Sequence, residues 1–140
     1  MGNYPLFNAL VKFARETKRN GKPLSQEPLI RNKLAQLQVE FEVGRLLVYR
    51  VAVVMDEGRA PNWEAAMSKT YCTTFEKCLA NAAMEILGPY GQLMADSKLC
   101  PIRGLAPRSY LGSKGYSLQG GTTEILKNII ALRQLGLPST

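Results

Sequence analysis

The fold is decided by residues 28–57, which read PLIRNKLAQLQVEFEVGRLLVYRVAVVMDE. Apolar side chains recur there at alternating steps of four and three residues, the spacing of one continuous helical face: Ile30, Leu34, Leu37, Phe41, Gly44, Val48, Val51 and Met55. A helix of this length would span roughly 45 Å. Leu46, Leu47 and Val54 widen the face, so more than one neighbour must cover it. Gly44 weakens an isolated helix, and a close helix crossing would explain its presence.

Further helices are predicted on both sides of this one, each bounded by Gly or Pro: 5–19, 62–87, 108–118 and a last helix that begins after 120–123. Asn20-Gly21 is expected to stop the first helix. The alanines near the end of the 62–87 helix permit tight packing. Because no strand-like alternation of useful length is visible, the sequence predicts an all-α fold, an antiparallel up-and-down four-helix bundle with three or four long helices.

The composition is that of one globular domain, with 140 residues, 46% of them hydrophobic, and a net charge of +7. The positive charge is concentrated at the ends: residues 1–38 hold seven Lys or Arg against two Glu, and residues 98–140 hold six against one. Two basic ends that fold together would attract DNA, a membrane surface or a cofactor phosphate, or would form only a basic surface without a specific partner. Stacking on nucleic acid is weakly supported, because the aromatic residues are not interleaved with basic ones. The longest apolar run, residues 51–55, is far too short to span a membrane.

The residue inventory excludes several chemistries. The chain contains no histidine, so Ser-His-Asp and Cys-His nucleophile systems and His-ligated zinc are excluded. Cys72, Cys78 and Cys100 show no metal spacing, and we expect them to be reduced and buried. No metal site is predicted. Residues 1–10 carry no basic stretch followed by a long apolar one, so no secretory signal is expected and a cytoplasmic location is predicted.

The segment Gly120-Gly121-Thr122-Thr123-Glu124 comes directly before the last helix. Two glycines allow a tight turn and a close approach of the backbone to a ligand, and the helix start offers unpaired N–H groups that favour anions. The simpler interpretation is a capped helix start with Thr122 as the N-cap.

Two other segments have the same double interpretation. Gly88-Pro89-Tyr90-Gly91 is either a helix end followed by a turn or a corner that approaches a ligand. The run of basic residues at the end of the first helix either complements the negative helix end or contacts a phosphate: Arg15, Lys18, Arg19 and Lys22.

Taken in order, these segments resemble the C-terminal domain of the acyl-CoA dehydrogenases over nearly the whole chain. The resemblance is carried by the terminal signature from Gly120 to Pro138, by residues 34–52 of the long helix, and by Ala66-Met67-Ser68-Lys69. It extends to residues 85–91 and to the basic turn of residues 18–24, which ends in Gly-Lys-Pro-Leu.

The resemblance implies a flavoprotein that oxidises the Cα–Cβ bond of an acyl-CoA thioester and passes electrons to an electron-transfer flavoprotein. It implies FAD held across two subunits of a homo-oligomer. On this reading Gly121, Thr122 and Glu124 match the FAD-contacting loop. The corner at Gly88 would approach the FAD of a neighbouring subunit, and Lys18 and Arg19 would lie by the pyrophosphate.

Three positions depart from the family pattern. Gly120 stands where many members carry the catalytic glutamate, and other members place the base in a region before Met1, so no catalytic residue is assigned. Thr17 and Asn20 stand where an arginine and a phenylalanine are usual, and Lys18 or Arg19 would have to substitute. Pro89 replaces a glycine and removes an N–H donor.

Three functional hypotheses stay open. We expect the domain to be residues 1–140, with the family's N-terminal helical domain and β-domain absent from the chain. The chain is then part of an acyl-CoA dehydrogenase that is active only with those domains, or a non-catalytic, stand-alone helical assembly module. A basic helical protein that binds nucleic acid is a third, weaker hypothesis. A bundle separated from its partners exposes apolar surface, so self-association is expected.

Overall fold

The computed structural model describes residues 4–139; residues 1–3, part of the segment searched for a secretory signal, and residue 140 lie outside it. The described residues form five α-helices: α1 (Tyr4–Glu16), α2 (Pro28–Asp56), α3 (Asn62–Leu87), α4 (Leu105–Tyr116) and α5 (Thr123–Arg133). Two-residue strands β1 (Lys18–Arg19) and β2 (Lys22–Pro23) pair antiparallel between α1 and α2. Short 3-10 turns cover Leu24–Gln26, Gly88–Gln92 and Pro101–Gly104. The predicted all-α bundle is confirmed.

Helix α3 lies at the centre, and α2, α4 and α5 each pack against it. Helices α2 and α3 run antiparallel, because Lys33 near the start of α2 pairs with Glu85 near the end of α3. Midway along the pair, the Cys72 thiol lies 3.9 Å from the Gly44 carbonyl oxygen. A β-carbon at position 44 would stand 3.5 Å from that sulfur. The close crossing expected at Gly44 is therefore present.

The core is a layer between α1, the first half of α2 and the second half of α3. Phe41 lies at its centre, with ring centroids 6.3 Å from Phe7 and 6.0 Å from Phe75. Such aromatic contacts add stabilisation beyond simple burial. Around them pack buried side chains of the three helices: Leu6, Leu10, Ala14, Leu37, Leu79, Ala82, Ala83 and Ile86.

The predicted first helix ends too late, since α1 stops at Glu16 and residues 17–24 form a hairpin. The Leu24 N–H donates to the Thr17 carbonyl at 2.9 Å and closes it. Asn20 and Gly21 both have positive φ, 52° and 78°, as a two-residue hairpin turn of type I′ requires. Asn-Gly was interpreted as a helix stop, and here it turns two short strands instead.

The apolar face of α2 is buried mainly from Ile30 to Gly44, and beyond Gly44 most of it is exposed. Ile30, Leu37, Phe41 and Gly44 are buried, as is Val54 near the other end. Val48 and Met55, which belong to the predicted face, are 40% and 61% exposed. They lie beyond the layer that α1 covers. The expectation of a fully covered face is wrong for this chain by itself.

The cysteines are less buried than predicted. Cys72 and Cys100 are half-buried, and Cys78 is exposed. Within residues 4–139, no cluster of Cys, Asp and Glu side chains is arranged to hold a metal ion. Over the same residues, no helix combines the length and hydropathy needed to cross a membrane.

Candidate cofactor-binding site

The segment at residues 120–124 is a surface turn that opens α5, exposed at Gly120 and Glu124 and half-buried between them. Gly120 and Gly121 have φ angles of 66° and 108°, which glycine adopts at little cost. Thr122 is extended, with φ −70° and ψ 163°, and its hydroxyl oxygen accepts a hydrogen bond from the Ile125 N–H at 3.4 Å. Thr122 is thus the N-cap of α5, as the simpler interpretation held. The cap itself uses one of the N–H groups at the helix start, an end that favours negative charge.

The turn is held against α3 by contacts on its inner side. The Lys69 ammonium donates a hydrogen bond to the Gly121 carbonyl oxygen, with 2.6 Å between Nζ and the oxygen. Below the turn, Leu126 is buried, and its Cδ2 lies 3.5 Å from where a β-carbon of Gly121 would stand. The turn is therefore fixed on its inner face, while Thr122 is half-buried and Glu124 is exposed.

Glu124 is the acidic residue in the first turn of α5. Its own backbone N–H and the Thr122 hydroxyl hydrogen-bond its carboxylate and hold its pKa below the ordinary value, and Lys127 and Lys77 add to this. A carboxylate at a helix N-terminus also interacts favourably with the helix dipole. Glu124 is accordingly charged at neutral pH and can accept hydrogen bonds from a ligand hydroxyl.

Gly88 ends α3 with φ 60° and ψ −143°, a conformation that is essentially reserved for glycine. Its N–H donates back to the Met84 and Glu85 carbonyls, so the helix end is satisfied. A β-carbon at Gly88 would meet no atom within 4 Å, so the outer side of the corner is open to a second molecule. Pro89 follows as the second residue of the 3-10 turn Gly88–Gln92, within the first turn, where its missing N–H is tolerated.

Lys18 and Arg19 form the exposed strand β1 of the hairpin. The guanidinium of Arg19 is 3.3 Å from the Glu27 carboxylate, an ion pair at the surface that spans the hairpin and the start of α2. Thr17 is half-buried, and Asn20 occupies the turn with positive φ. The positive charge of Arg19, next to the hairpin turn, is thus partly neutralised by Glu27.

The predicted site residues fall into two groups at opposite ends of the bundle. Gly121, Thr122 and Glu124 lie beside Lys69, in the first third of α3. Gly88 follows Lys69 by nineteen positions along α3 and its end, which corresponds to about 28 Å. The hairpin with Lys18 and Arg19 precedes the start of α2, which lies beside the end of α3, and so belongs to the Gly88 end.

Lys69 was not predicted from the sequence to have a role, although this residue makes the hydrogen bond that fixes the turn. No local pattern marks it, because the bond joins positions 52 apart along the chain.

The family model of the acyl-CoA dehydrogenase C-terminal domain matches residues 5–135. Glutaryl-CoA dehydrogenase of Desulfococcus multivorans is 37% identical over 131 residues, which cover 93% of this chain and 32% of the relative. Benzylmalonyl-CoA dehydrogenase of Aromatoleum aromaticum is 35% identical over 124 residues, or 88% of this chain and 30% of the relative. The chain spans about a third of the length of these curated relatives.

Solved structures share the bundle. The ChsE4-ChsE5 complex from Mycobacterium tuberculosis superposes with a TM-score of 0.88 at 27% identity, covering 97% of this chain and 36% of that one. A glutaryl-coenzyme A dehydrogenase in complex with glutaryl-CoA gives a TM-score of 0.83 at 34% identity, covering 95% of this chain and 32% of that one. The FAD complex of PigA, 24% identical with a TM-score of 0.81 and covering 94% and 32%, has the same fold.

Proposed function

This chain belongs to the acyl-CoA dehydrogenase family as its C-terminal domain, and from that premise we propose that it supplies the FAD-contacting and oligomerisation part of a flavin-dependent acyl-CoA dehydrogenase. The observation that carries the proposal is the exposed double-glycine turn at the start of α5, which lies within the residues matched by the family model. The reaction of the assembled enzyme would be the α,β-dehydrogenation of an acyl-CoA thioester, with FAD as the hydride acceptor.

The chemistry of this turn suits a dinucleotide. The backbone at Gly120 and Gly121 carries no side chains, so a ligand can approach it closely. The start of α5 offers N–H groups to a phosphate or carbonyl oxygen, and Glu124 offers an acceptor to a ribityl or ribose hydroxyl. Gly121, Thr122 and Glu124 would therefore hold FAD at this end of the domain.

The separation of the two groups of residues supports FAD binding between subunits. Gly88, Lys18 and Arg19 lie roughly a bundle length from the turn, so the two groups would contact different FAD molecules or opposite ends of one. A homo-oligomer would bring the Gly88 corner and the basic hairpin of one chain to the FAD held by the turn of another. The exposed half of α2 is an apolar surface that such an assembly would cover: Leu46, Val48, Tyr49, Val53 and Met55.

The chain does not contribute the catalytic base under this proposal. Position 120 has no side chain, so no carboxylate stands beside the turn at the place where many members carry one. The base and the walls of the thioester pocket would come from the N-terminal helical domain and the β-domain. Acyl-CoA and an electron-transfer flavoprotein would be partners of the assembled enzyme. The isolated chain would neither retain FAD tightly nor dehydrogenate acyl-CoA.

The test is to isolate from the source cells the assembly that contains this chain and to compare it with the isolated 140-residue chain. We expect the assembly to carry flavin and its absorbance to bleach when a panel of acyl-CoA thioesters is added. The isolated chain should carry no stoichiometric flavin. Stoichiometric flavin on the isolated chain, bleached by acyl-CoA, would refute the proposal as stated.

A second candidate function is a non-catalytic helical assembly module derived from the family. Two observations favour it: Gly120 occupies the position of the base, and α2 presents an extended apolar surface to a partner. An assembly that is stable, lacks flavin and is unchanged by acyl-CoA would support this function over the first.

A further inference from the structure

We infer that Lys69 is a positioning residue for the cofactor-contacting turn: its ammonium fixes the Gly121–Thr122 peptide so that the Thr122 N–H faces the ligand side. The inference rests on the proposed function of the turn, and it adds a residue from a different helix, 52 positions away along the chain.

Lys69 makes a direct hydrogen bond to the turn. The Lys69 Nζ lies 2.6 Å from the Gly121 carbonyl oxygen, and the bond is partly buried. Charge-assisted hydrogen bonds of this kind are shorter and stronger than neutral ones. The lysine stem runs along the same turn, because its Cε would lie 3.9 Å from a β-carbon at Gly120. Lys69 therefore bonds to Gly121, and its stem passes close to Gly120.

The hydrogen bond from Lys69 sets the direction of the peptide group between Gly121 and Thr122. The C=O and N–H groups of a trans peptide point in opposite directions, and the described residues contain no cis peptide. With the Gly121 carbonyl directed at α3, the Thr122 N–H on the same peptide points away from Lys69. Without Lys69 this peptide could rotate, since glycines at φ 66° and 108° restrain the backbone little.

The same turn is also held by the N-cap of α5 at Thr122. Thr122 accepts from the Ile125 N–H through its hydroxyl and from the Leu126 N–H through its carbonyl, at 3.4 and 3.0 Å. Leu126 is buried against the bundle, so it anchors the far side of the turn. The turn is thus held at two points, Leu126 by packing and Lys69 by a hydrogen bond, and only the second sets the orientation of the Gly121 carbonyl.

The test compares Lys69→Met and Lys69→Arg with the control Lys77→Met in the full chain by NMR. Lys77 lies on the same helix and close enough to lower the pKa of Glu124, so its loss removes a similar charge without removing the bond to Gly121. We expect Lys69→Met to shift the carbonyl resonance of Gly121 and to speed amide exchange at residues 121–123 by about tenfold. Lys69→Arg should restore both towards the wild type, and Lys77→Met should leave both unchanged.

Two results would overturn the inference. One is a turn that responds to Lys69→Met no more than to Lys77→Met. The other is faster exchange throughout α2 and α3, which would make Lys69 a residue of general stability. If Lys69→Met does not fold, Lys69→Gln takes its place, because it keeps a hydrogen-bond donor but is uncharged and shorter. The inference then requires that Lys69→Gln shifts the Gly121 carbonyl resonance.

A second readout separates this inference from the proposed function. In the assembly isolated from cells, we expect Lys69→Met to weaken flavin retention by about tenfold, the effect of losing one well-placed donor. Lys69→Arg and Lys77→Met should retain flavin. A wild-type assembly without flavin would sink the proposed function even if the NMR result holds. If the wild-type assembly carries flavin and Lys69→Met retains it equally well, only the positioning role of Lys69 is refuted.

Discussion

At the scale of single residues, Thr122 is the side chain that fixes the start of α5. Its hydroxyl is the N-cap acceptor, and removal of such a cap costs about 1 kcal/mol. We expect Thr122→Ala to lower the free energy of unfolding in urea by that amount. Thr122→Ser, which keeps the hydroxyl, should lose much less. Equal stability of the alanine variant and the wild type would show that the cap does not contribute.

Gly120 stands where many members of the family carry the catalytic glutamate, and its backbone conformation disfavours a side chain there. Its φ of 66° disfavours any residue with a β-carbon, and the cost of that conformation is roughly 1–2 kcal/mol. We therefore expect Gly120→Glu and Gly120→Ala to destabilise the chain by similar amounts.

The matched control for this prediction is Gly115→Ala in α4, where φ is not positive and a β-carbon meets no atom within 4 Å. That variant should be neutral or slightly more stable, because alanine favours the helix. Thermal unfolding of the three variants measures the difference. A Gly120→Ala variant as stable as Gly115→Ala would contradict the left-handed conformation of the turn.

Two glutamates should respond to pH in opposite directions. Hydrogen bonds from its own N–H and from Thr122 lower the pKa of Glu124 in the folded state. The charged carboxylate therefore stabilises the folded state at pH values above its pKa in the unfolded chain. This stabilisation is lost as the pH falls through the lower pKa of the folded state. Burial raises the pKa of Glu76, so its charge opposes folding at neutral pH. We expect Glu124→Gln to lower the Tm at pH 7 and Glu76→Gln to raise it.

Both differences should vanish on acidification, because each wild-type carboxylate becomes protonated and resembles the amide. Melting curves of the two variants and the wild type between pH 7 and pH 3 measure this, in the range where carboxylates titrate. Variants that differ from the wild type by the same amount at every pH would contradict the electrostatic origin of the effects.

At the scale of elements, the α2–α3 contact depends on the small size of residue 44. A β-carbon there would be in ordinary contact with Cys72 and Tyr71, at 3.5 Å. We expect Gly44→Ala to be tolerated or to stabilise by up to about 1 kcal/mol, since alanine favours a helix interior. Gly44→Leu should destabilise by about 1–3 kcal/mol, because it overpacks the crossing. Chemical denaturation tests both, and a leucine variant as stable as the alanine variant would place the helices further apart.

The elements also show what could be predicted from the sequence. Helices α2 and α3 were predicted within one residue, because Pro28, Gly58, Pro61 and Gly88 mark their ends directly. The end of α1 was missed, because Asn-Gly favours both a helix stop and a type I′ turn, and pairing with residues 22–23 decides between them.

The candidate site was predictable in part, for a similar reason. A double-glycine turn before a helix is a local pattern and was found from the sequence. The Lys69 bond to Gly121 joins positions 52 apart, and no local pattern encodes it. The periodicity of α2 identified its apolar side chains and could not show that Val48 and Met55 are left uncovered within one chain.

At the scale of the whole molecule, the exposed half of α2 predicts self-association. Leu46 is 61% exposed and Tyr49 is 55% exposed on this surface, and burial of such side chains in an oligomer is favourable by about 25 cal/mol per Å². We expect light scattering to report species larger than the monomer at high concentration. Leu46→Lys should shift the distribution to monomer, whereas Leu111→Lys, at a comparably exposed position on α4, should not. A clean monomer for the wild-type chain would count against this surface as an interface.

The most direct test of the central claim is a structure of the assembly that contains this chain, determined with FAD bound. We expect the flavin nucleotide to lie within about 3 Å of hydrogen-bonding atoms of Gly121 and Thr122, with the Gly121 carbonyl still directed at Lys69. A structure in which the 120–124 turn is covered by protein, with the nucleotide elsewhere, would contradict it.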